Sequence, residues 1–235
     1  MAQSSLENQL QRAAAKRVFF AHQSVGQNVL DGLAALAKEG HVAWRIEENG
    51  ALTAPGLGHA RVGENGKPAG KLEAFPALLA TGPGKGAELA LVKLCYVDFS
   101  ADTDAAALFA RYQAMVKQVE ASAPGVRLVH VTAPLTTVQT GLKGWLKNTV
   151  GSGAYGEREN VKRHEYNQAL RAAYGAGLLF DLAQVEAGEG GGACRFTREG
   201  RSYPCLRPEL TDDGGHLNAK GQQEAARALL EVLAR

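Results

Sequence analysis

The chain has 235 residues, of which 45% are hydrophobic and 21% are charged, and its formal net charge is +2. These values are typical of a globular protein with a buried core, and we expect one domain over residues 1–235, with residues 1–16 forming an N-terminal arm or helix. The small net charge argues against a nucleic-acid partner, and no apolar run is long enough to span a bilayer.

The N-terminus and the cysteines are relevant to the cellular compartment of the protein. The N-terminus has no charged segment followed by an apolar one, so we expect either a cytoplasmic chain or the mature form of a secreted or periplasmic protein that carries an added Met. Cys95 lies in an apolar run and is expected to be buried. Cys194 and Cys205 flank a polar loop, where they form either a disulfide, which favours an oxidising compartment, or two free thiols.

The first part of the chain alternates short apolar runs with one amphipathic helix. We predict strands at 17–20 and 43–46 on either side of a helix over 27–38, which Gly40 ends. Residues 49–70 are rich in Gly, Pro and Asn and are predicted to form one long loop. Long loops in compact domains are often functional.

The second part of the chain continues the alternation of helices and strands. The predicted helices are 71–79, 104–122, 159–174 and 219–235, and the predicted strands are 88–97, 126–132 and 177–181. Residues 136–156 and 187–210 are predicted to be irregular. Strands that alternate with helices indicate an α/β fold with a mostly parallel sheet covered on both faces, and ligands bind such sheets at the carboxyl ends of the strands.

A glycine-rich turn before the last helix places Asp213 three residues ahead of His216. This spacing lets the carboxylate fix the imidazole tautomer, so that the histidine can act as a general base. The alternative is a surface turn in which Asp212 or Asp213 caps the helix and His216 is solvated.

Ser24 lies between the first strand and the first helix. A turn of this kind lifts a side chain above the sheet, and the helix N-terminus supplies N–H groups for a developing oxyanion. Gly26 would let a substrate approach the backbone. The alternative is that Ser24 only caps the helix, which is a common role for serine.

Together, Ser24 and the segment Asp213–Gly221 resemble the SGNH/GDSL hydrolases. This family has a flavodoxin-like fold, a three-layer sandwich around a mostly parallel sheet, and the order of elements fits it over nearly the whole chain. The resemblance implies that Ser24 is the nucleophile and an oxyanion donor, that His216 is the base, and that Asp213 orients it.

The family has two further sequence blocks. Its second block is a glycine whose N–H faces the oxyanion, and Gly66 or Gly70 could fill that role. The third block, normally Gly-x-Asn-Asp, reads Cys-Tyr-Val-Asp at 95–98, so Val97 replaces the asparagine donor. Asp98 aligns with the final Asp and either organises the loops or donates when protonated, and Asn65 is a candidate substitute donor.

Three functional hypotheses follow. The first is a serine hydrolase that cleaves a carboxylic ester, without metal or organic cofactor, on a small-molecule or carbohydrate ester; family analogy suggests an acylated carbohydrate. The second is a non-catalytic glycan- or ligand-binding module on the same fold. The third is a metal-dependent hydrolase that uses His22, Asp98, Asp213 and His216, although no spacing demands a metal.

Two further polar residues have more ordinary interpretations. His130 ends a predicted strand and is expected to be a hydrogen-bonded core histidine. Arg163 lies on a polar helix stripe, which is usually a solvated face, although its guanidinium could also hold a loop or a substrate carboxylate.

Overall fold

The computed structural model describes residues 2–138, 156–175, 177–189 and 193–235. Its helices are α1 (Ala2–Ala14), α2 (Ser24–Glu39), α3 (Pro68–Ala80), α4 (Ala105–Ser122), α5 (Glu157–Tyr174), α6 (Leu182–Ala187) and α7 (Ala219–Leu233). Its strands are β1 (Arg17–His22), β2 (Ile46–Glu48), β3 (Gly56–Arg61), β4 (Leu89–Val92), β5 (Arg127–Leu128), β6 (His130–Val131), β7 (Leu179–Phe180), β8 (Arg195–Arg198) and β9 (Arg201–Pro204). Short 3₁₀ turns cover Tyr96–Asp98 and Pro208–Leu210.

The central sheet is parallel, with the strand order β2-β3-β1-β4-β5. Strands β6 and β7 form a second parallel pair, which is joined to the first sheet where the amide of Val129 donates to the carbonyl of Ala90. Because the strands run the same way, their carboxyl ends meet at one edge, and β1, β3 and β4 lie side by side there. Ser24 follows the middle strand of these three.

Helices cover both faces of the sheet. Successive side chains of β1 point to opposite faces and pack against different helices. Val18 and Phe20 pack with α1, α2 and α7 on one face, whereas Phe19 and Ala21 pack with α3, α4 and α5 on the other. All four side chains are fully buried, as expected for a central parallel strand that is apolar on both sides. The predicted α/β three-layer sandwich with a mostly parallel sheet is therefore confirmed.

The predicted loop over 49–70 was wrong in part, because it contains strand β3 and the start of α3. The β3 sequence, Gly-Leu-Gly-His-Ala-Arg, has few β-branched or aromatic residues, so its local propensity for a strand is low. Pairing with β1 along its whole length, from Arg17 opposite Gly56 to His22 opposite Arg61, supplies what local propensity does not.

The boundaries of other elements also differ from the predicted ones. Helix α2 begins at Ser24, three residues before the predicted start, which puts Ser24 at the first helical position. The predicted strand over 126–132 is divided into β5 and β6, which pair in different sheets. The region predicted to be irregular after residue 187 contains the antiparallel hairpin β8–β9.

A disulfide links Cys194 to Cys205 across the ends of this hairpin, so the disulfide alternative holds over the free thiols. Cys95 is buried and unpaired among the described residues, as expected. Within the part of the chain that the structure describes, no helix has both the length and the apolar character needed to cross a membrane.

Candidate active site

Ser24 stands at the turn between β1 and α2. Gln23 occupies the N-cap position of the helix, so Ser24 is the first helical residue and does not cap it. The first N–H groups of a helix have no partner within the helix, and they carry its partial positive charge. The Ser24 hydroxyl and its own N–H therefore lie where negative charge is stabilised.

Gly26 is required by packing rather than by substrate access. A Cβ atom on Gly26 would lie 2.2 Å from the Cβ of His22, so only glycine lets the histidine sit beneath the turn. The Nε2 atom of His22 lies 3.0 Å from Nδ1 of His59, and burial lowers the pKa of His22 to about 4. His22 is therefore a neutral structural group that supports the serine turn from below.

The Asp213–His216 turn is fixed by its own backbone. Oδ1 of Asp213 accepts hydrogen bonds from the amides of Gly215 at 2.9 Å and His216 at 2.8 Å. Gly214 has a φ of +92°, a left-handed conformation that favours glycine. An antiparallel bridge between Thr211 and Leu217 closes the turn. The carboxylate is thus held in place before it contacts the imidazole.

Ser24, His216 and Asp213 form one continuous hydrogen-bonded chain. Nε2 of His216 lies 2.9 Å from the Ser24 hydroxyl, and Nδ1 lies 2.6 Å from Oδ2 of Asp213. The bond from His216, with the two backbone amides, holds the pKa of Asp213 well below its usual range. An acceptor-only carboxylate places the histidine proton on Nδ1, which leaves Nε2 to accept from the serine.

Two residues that the sequence did not single out attach this turn to the rest of the protein. Oδ1 of Asn28, on α2, accepts from the amide of Leu217 at 3.1 Å. The amide of Thr137 donates to the carbonyl of Gly214 at 2.9 Å. Asn28 is one helical turn beyond Ser24, so the same helix positions the serine and the histidine turn; this spacing is the signal that could have identified it.

The loops after β3 and β4 are joined by a buried ion pair. Nζ of Lys71 lies 2.8 and 2.7 Å from the carboxylate oxygens of Asp98, and both side chains are fully buried. Asp98 also accepts from the amides of Gly66 at 2.9 Å and Cys95 at 2.6 Å. Asp98 therefore organises the two loops, which was one of its two expected roles.

The predicted oxyanion residues of the loop after β3 contact groups other than Ser24. The N–H of Gly66 points at Asp98 and not at the serine. Oδ1 of Asn65 accepts from Lys71 at 3.3 Å, and Gly70 lies in the first turn of α3. These three residues belong to the Lys71–Asp98 site or to the helix, and no contact with Ser24 or His216 is seen for them.

Gly63 is the glycine that contacts the serine turn. The Gln23 side chain, next to Ser24, donates to the carbonyls of Val62 at 3.0 Å and Gly63 at 2.9 Å. Gly63 has a φ of +58°, and a Cβ atom there would lie 2.8 Å from Cγ of Lys71. Gly63 could have been identified in the sequence as the first glycine after β3. It was not, because β3 was predicted to be part of a loop.

Tyr96 was not identified from the sequence either, and its side chain contacts His216 of the triad. Its hydroxyl lies 3.4 Å from Nε2 of His216, and the two rings meet edge to face with centroids 5.6 Å apart. Arg163 is buried rather than solvated, and its guanidinium donates to the Tyr96 carbonyl at 3.1 and 2.9 Å. Arg163 therefore holds the loop, which was one of its expected roles. Val97, beside Tyr96, is 45% exposed.

The four residues of the metal hypothesis are not brought together. His22 is bonded to His59 and Asp98 to Lys71, whereas Asp213 and His216 form the chain to Ser24. Within residues 2–138, 156–175, 177–189 and 193–235, no group of three or more His, Cys, Asp or Glu side chains could hold a metal ion.

A cavity of about 660 Å³ lies elsewhere, between α4, β5 and the segment before β7. Arg127 and Leu178, which line it, stand at the amino-terminal ends of their strands, so it opens at the edge of the sheet opposite Ser24. The triad itself sits at the surface, with 40% of the His216 side chain exposed. An open site of this kind can receive part of a large substrate.

His130 borders the 660 Å³ cavity. It is buried, and its Nδ1 lies 2.8 Å from the Tyr112 hydroxyl, as expected for a hydrogen-bonded core histidine.

Comparison with known proteins supports the fold. No protein-family model matches the sequence, and none of the curated proteins matches it significantly. A proposed SGNH hydrolase from Slackia heliotrinireducens is similar in structure, with a TM-score of 0.53 and 19% identity over 93% of this chain and 98% of that one. The esterase EstA from Pseudoalteromonas sp., solved with monoethylphosphonate as inhibitor, has a TM-score of 0.52 and 13% identity over 91% and 94%.

TesA is a third similar structure, with a TM-score of 0.53 and 16% identity over 92% of this chain and 97% of that one. At identities this low the similarity concerns the fold, and these proteins share a mostly parallel sheet with helices around it. The chain has the α/β fold of the SGNH/GDSL hydrolases.

Proposed function

We propose that the protein is a serine hydrolase of carboxylic esters, with Ser24 as nucleophile, His216 as general base and acid, and Asp213 as the carboxylate that orients His216. The observation that carries this proposal is the chain of two hydrogen bonds, 2.9 Å from Ser24 to His216 and 2.6 Å from His216 to Asp213. The first distance is within the range needed for proton transfer from nucleophile to base, and the second lets the carboxylate orient the imidazole.

The reaction follows from these contacts. The Ser24 oxygen bonds to the ester carbonyl carbon while its proton passes to Nε2 of His216, and the carbonyl electron pair moves onto oxygen. The tetrahedral intermediate collapses by expelling the alcohol, which takes the proton from Nε2. Water then repeats the two steps on the acyl-enzyme and releases the acid. The Asp213 carboxylate stabilises the imidazolium that forms in each step.

The oxyanion is stabilised by backbone groups at the start of α2 and after β3. The Ser24 N–H lies at the helix N-terminus, where no intrahelical acceptor competes for it. We assign the second donor to the Gly63 N–H, because the Gln23 side chain holds Gly63 against the serine turn. The proposed donor is thus Gly63 rather than Gly66 or Gly70, and the proposal needs no asparagine at position 97.

The narrower proposal is that the ester is an acylated carbohydrate. The exposed His216 and Val97 side chains leave the triad open on its solvent side, which suits an alcohol that is part of a larger saccharide. We also propose a secreted or periplasmic location, since the Cys194–Cys205 disulfide persists best in an oxidising compartment.

The test is turnover of p-nitrophenyl acetate and of acetylated oligosaccharides by the wild type and Ser24→Ala. Removal of the nucleophile is expected to lower kcat by about 10⁴–10⁶-fold. Ser122→Ala is the matched control, because Ser122 is exposed at the end of α4 and, among the described residues, its hydroxyl bonds only to the carbonyl of Gln118. Equal turnover by wild type and Ser24→Ala would contradict the proposal.

The binding-module hypothesis predicts a different outcome for the same preparations. It requires no hydrolysis of any acyl ester by the wild type, together with saturable saccharide binding in a calorimetric titration. Saccharide binding with Ser24-dependent turnover would instead identify the substrate class.

A further inference from the structure

Helix α5 turns a polar face toward the interior of the protein. Asn160, Arg163 and Asn167 follow one another at intervals of three and four residues, which places them on one side of the helix. All three side chains are at most 3% exposed. Burial of polar groups is costly unless they are hydrogen-bonded, so the partners of these side chains indicate the role of the face.

The two asparagines bind the backbone of the segment that follows β6. Asn167 accepts from the amide of Ala133 at 2.7 Å and donates to its carbonyl at 2.9 Å. Asn160 binds Thr136 in the same way, at 3.1 and 2.8 Å. Each side-chain amide thus pairs with both backbone groups of one residue, and together they fix the segment against α5.

Arg163 joins this segment to the loop after β4. Its Nη1 atom donates to the Thr136 hydroxyl at 3.0 Å, whereas Nε and Nη2 donate to the Tyr96 carbonyl at 3.1 and 2.9 Å. The guanidinium group is planar and its donors have a fixed relative geometry. A single side chain therefore sets the position of the two segments relative to each other.

Both segments also contact the turn that carries His216. The amide of Thr137, the residue after Thr136, donates to the carbonyl of Gly214 at 2.9 Å. The ring of Tyr96 packs edge to face on the imidazole of His216, with centroids 5.6 Å apart, and a Cβ atom on Gly215 would lie 2.8 Å from that ring. A shift of either segment would therefore move a group that contacts the histidine turn.

We propose that Arg163 is a positioning residue for His216, which it keeps in line with Ser24 by fixing the segment after β6 and the loop after β4 relative to each other. It acts through Thr136 and Tyr96 and transfers no proton. The geometry that it maintains is the 2.9 Å contact between the Ser24 hydroxyl and Nε2 of His216. The inference rests on the proposed serine hydrolase activity and adds a determinant of its nucleophile–base distance.

The first test is Arg163→Lys, which keeps the positive charge but not the planar set of donors that binds both segments. A misplacement of about 1 Å can lower a rate about 10²-fold, so we expect kcat to fall about 10–10²-fold with little change in KM. The acidic limb of the kcat/KM profile should stay in place while the plateau falls, because the charge is retained.

The matched control is Arg171→Lys, about two turns further along the same helix. The Arg171 guanidinium binds the carboxylate of Asp181 through two donors at 2.7 Å instead of binding the two segments. Its replacement by lysine should destabilise the protein but leave kcat within about twofold of the wild type. Melting temperatures of both variants, with turnover measured well below them, separate loss of positioning from loss of folded protein.

A milder variant, Thr136→Val, removes the hydroxyl that Arg163 binds and leaves the arginine in place. It should lower kcat less than Arg163→Lys does. In the double variant the two effects should not add, since both changes break the same link. Additive effects on kcat would show that Arg163 does not act through Thr136.

Three further results would overturn the inference. Full kcat in Arg163→Lys would show that the link between the segments does not position His216. A change confined to KM would assign Arg163 to substrate binding. Equal losses of kcat and of melting temperature in Arg163→Lys and Arg171→Lys would show that both arginines only stabilise α5.

The failure of this inference is distinguishable from failure of the proposed function. A wild type whose turnover survives Ser24→Ala, or that has no turnover, contradicts the serine hydrolase and the inference with it. A wild type that depends on Ser24 while Arg163→Lys keeps full kcat contradicts only the role of Arg163.

Discussion

Two regions meet at Ser24, and they are built by different means. The turn over 211–217 carries Asp213 and His216 within four residues, and backbone amides of the same turn bind the carboxylate. The opposite region is assembled from the loops after β3 and β4, which a buried Lys71–Asp98 pair joins. The first region is local in sequence, whereas the second depends on contacts between distant segments.

This difference explains what the sequence could and could not predict. A proton acceptor and its orienting carboxylate require particular side chains, so Asp213 and His216 can be identified in the sequence by residue type and spacing. In the structure His216 contacts both Ser24 and Asp213. Oxyanion donors are backbone N–H groups, which every residue except proline carries. Gly63 was therefore indistinguishable from Gly66 and Gly70 until β3 was located, and their catalytic roles remain proposals.

The fold likewise has parts that follow from local sequence and parts that depend on contacts between distant segments. Strand β1 and helix α2 follow from apolar runs and helical spacing, and the parallel sheet follows from the alternation of elements. Strand β3 was missed because its stability comes from pairing with β1 and β2 rather than from its own residues. Tyr96 was passed over because an aromatic residue after a buried strand is more often part of the core, and only the tertiary contact with His216 distinguishes it.

The largest effect is expected in the turn region. Asp213→Asn keeps the shape of the side chain but allows the wrong imidazole tautomer, and it should lower kcat by up to about 10⁴-fold. Asp212→Asn is the matched control, since Asp212 is the adjacent exposed carboxylate. The measurement is steady-state turnover of p-nitrophenyl acetate. Equal activity of the two variants would show that Asp213 does not orient His216.

The next effect concerns the stability of the loop region. Lys71→Met leaves the Asp98 carboxylate buried without its cation, and it should lower the free energy of unfolding by about 3–5 kcal/mol. Lys67→Met is the control in the same segment, because the Lys67–Glu64 pair is about 70% exposed and should contribute less than about 1 kcal/mol. Urea unfolding measures both. A small effect in both variants would mean that the ion pair does not hold the loops.

Acid should weaken the support beneath Ser24, which includes His22, before it affects the Asp213–His216 turn. The pKa of His22 falls from 6.5 in the unfolded chain to about 4 in the fold. Below pH 6.5 the unfolded state therefore binds a proton that the folded state does not bind until about pH 4. Stability from neutral His22 is thus present above pH 6.5 and is lost as the pH falls to 4, by about 3 kcal/mol. The lowered pKa of Asp213 keeps its carboxylate ionised over the same interval.

The measurement is the free energy of unfolding of wild type minus that of His22→Gln, determined by urea titration between pH 7 and pH 4. The difference cancels the groups that titrate alike in both proteins and reports His22 together with His59, to which it is bonded. It should decrease as the pH falls. A difference that is constant with pH would show that His22 does not titrate with the expected shift.

The smallest effect concerns the contact between α2 and the histidine turn. Asn28→Ala leaves the Leu217 amide without its acceptor and should lower the free energy of unfolding by about 1–2 kcal/mol. Gln27→Ala, next to it, removes only a bond to Asp31 on the helix surface and should have an effect below about 0.5 kcal/mol. If Asn28→Ala changed neither stability nor turnover, the Asn28 contact would not help to hold the turn, and its own backbone and the Thr137 amide would suffice.

The most direct test of the serine nucleophile is covalent labelling. An active preparation is treated with a fluorophosphonate, and the site of the adduct is found by peptide mass spectrometry. The expected result is a single adduct on Ser24, formed as turnover is lost, with no adduct on Ser24→Ala and with Ser122→Ala labelled like the wild type. An active protein that carries no adduct on Ser24, or that carries its adduct on another residue, would contradict the proposal.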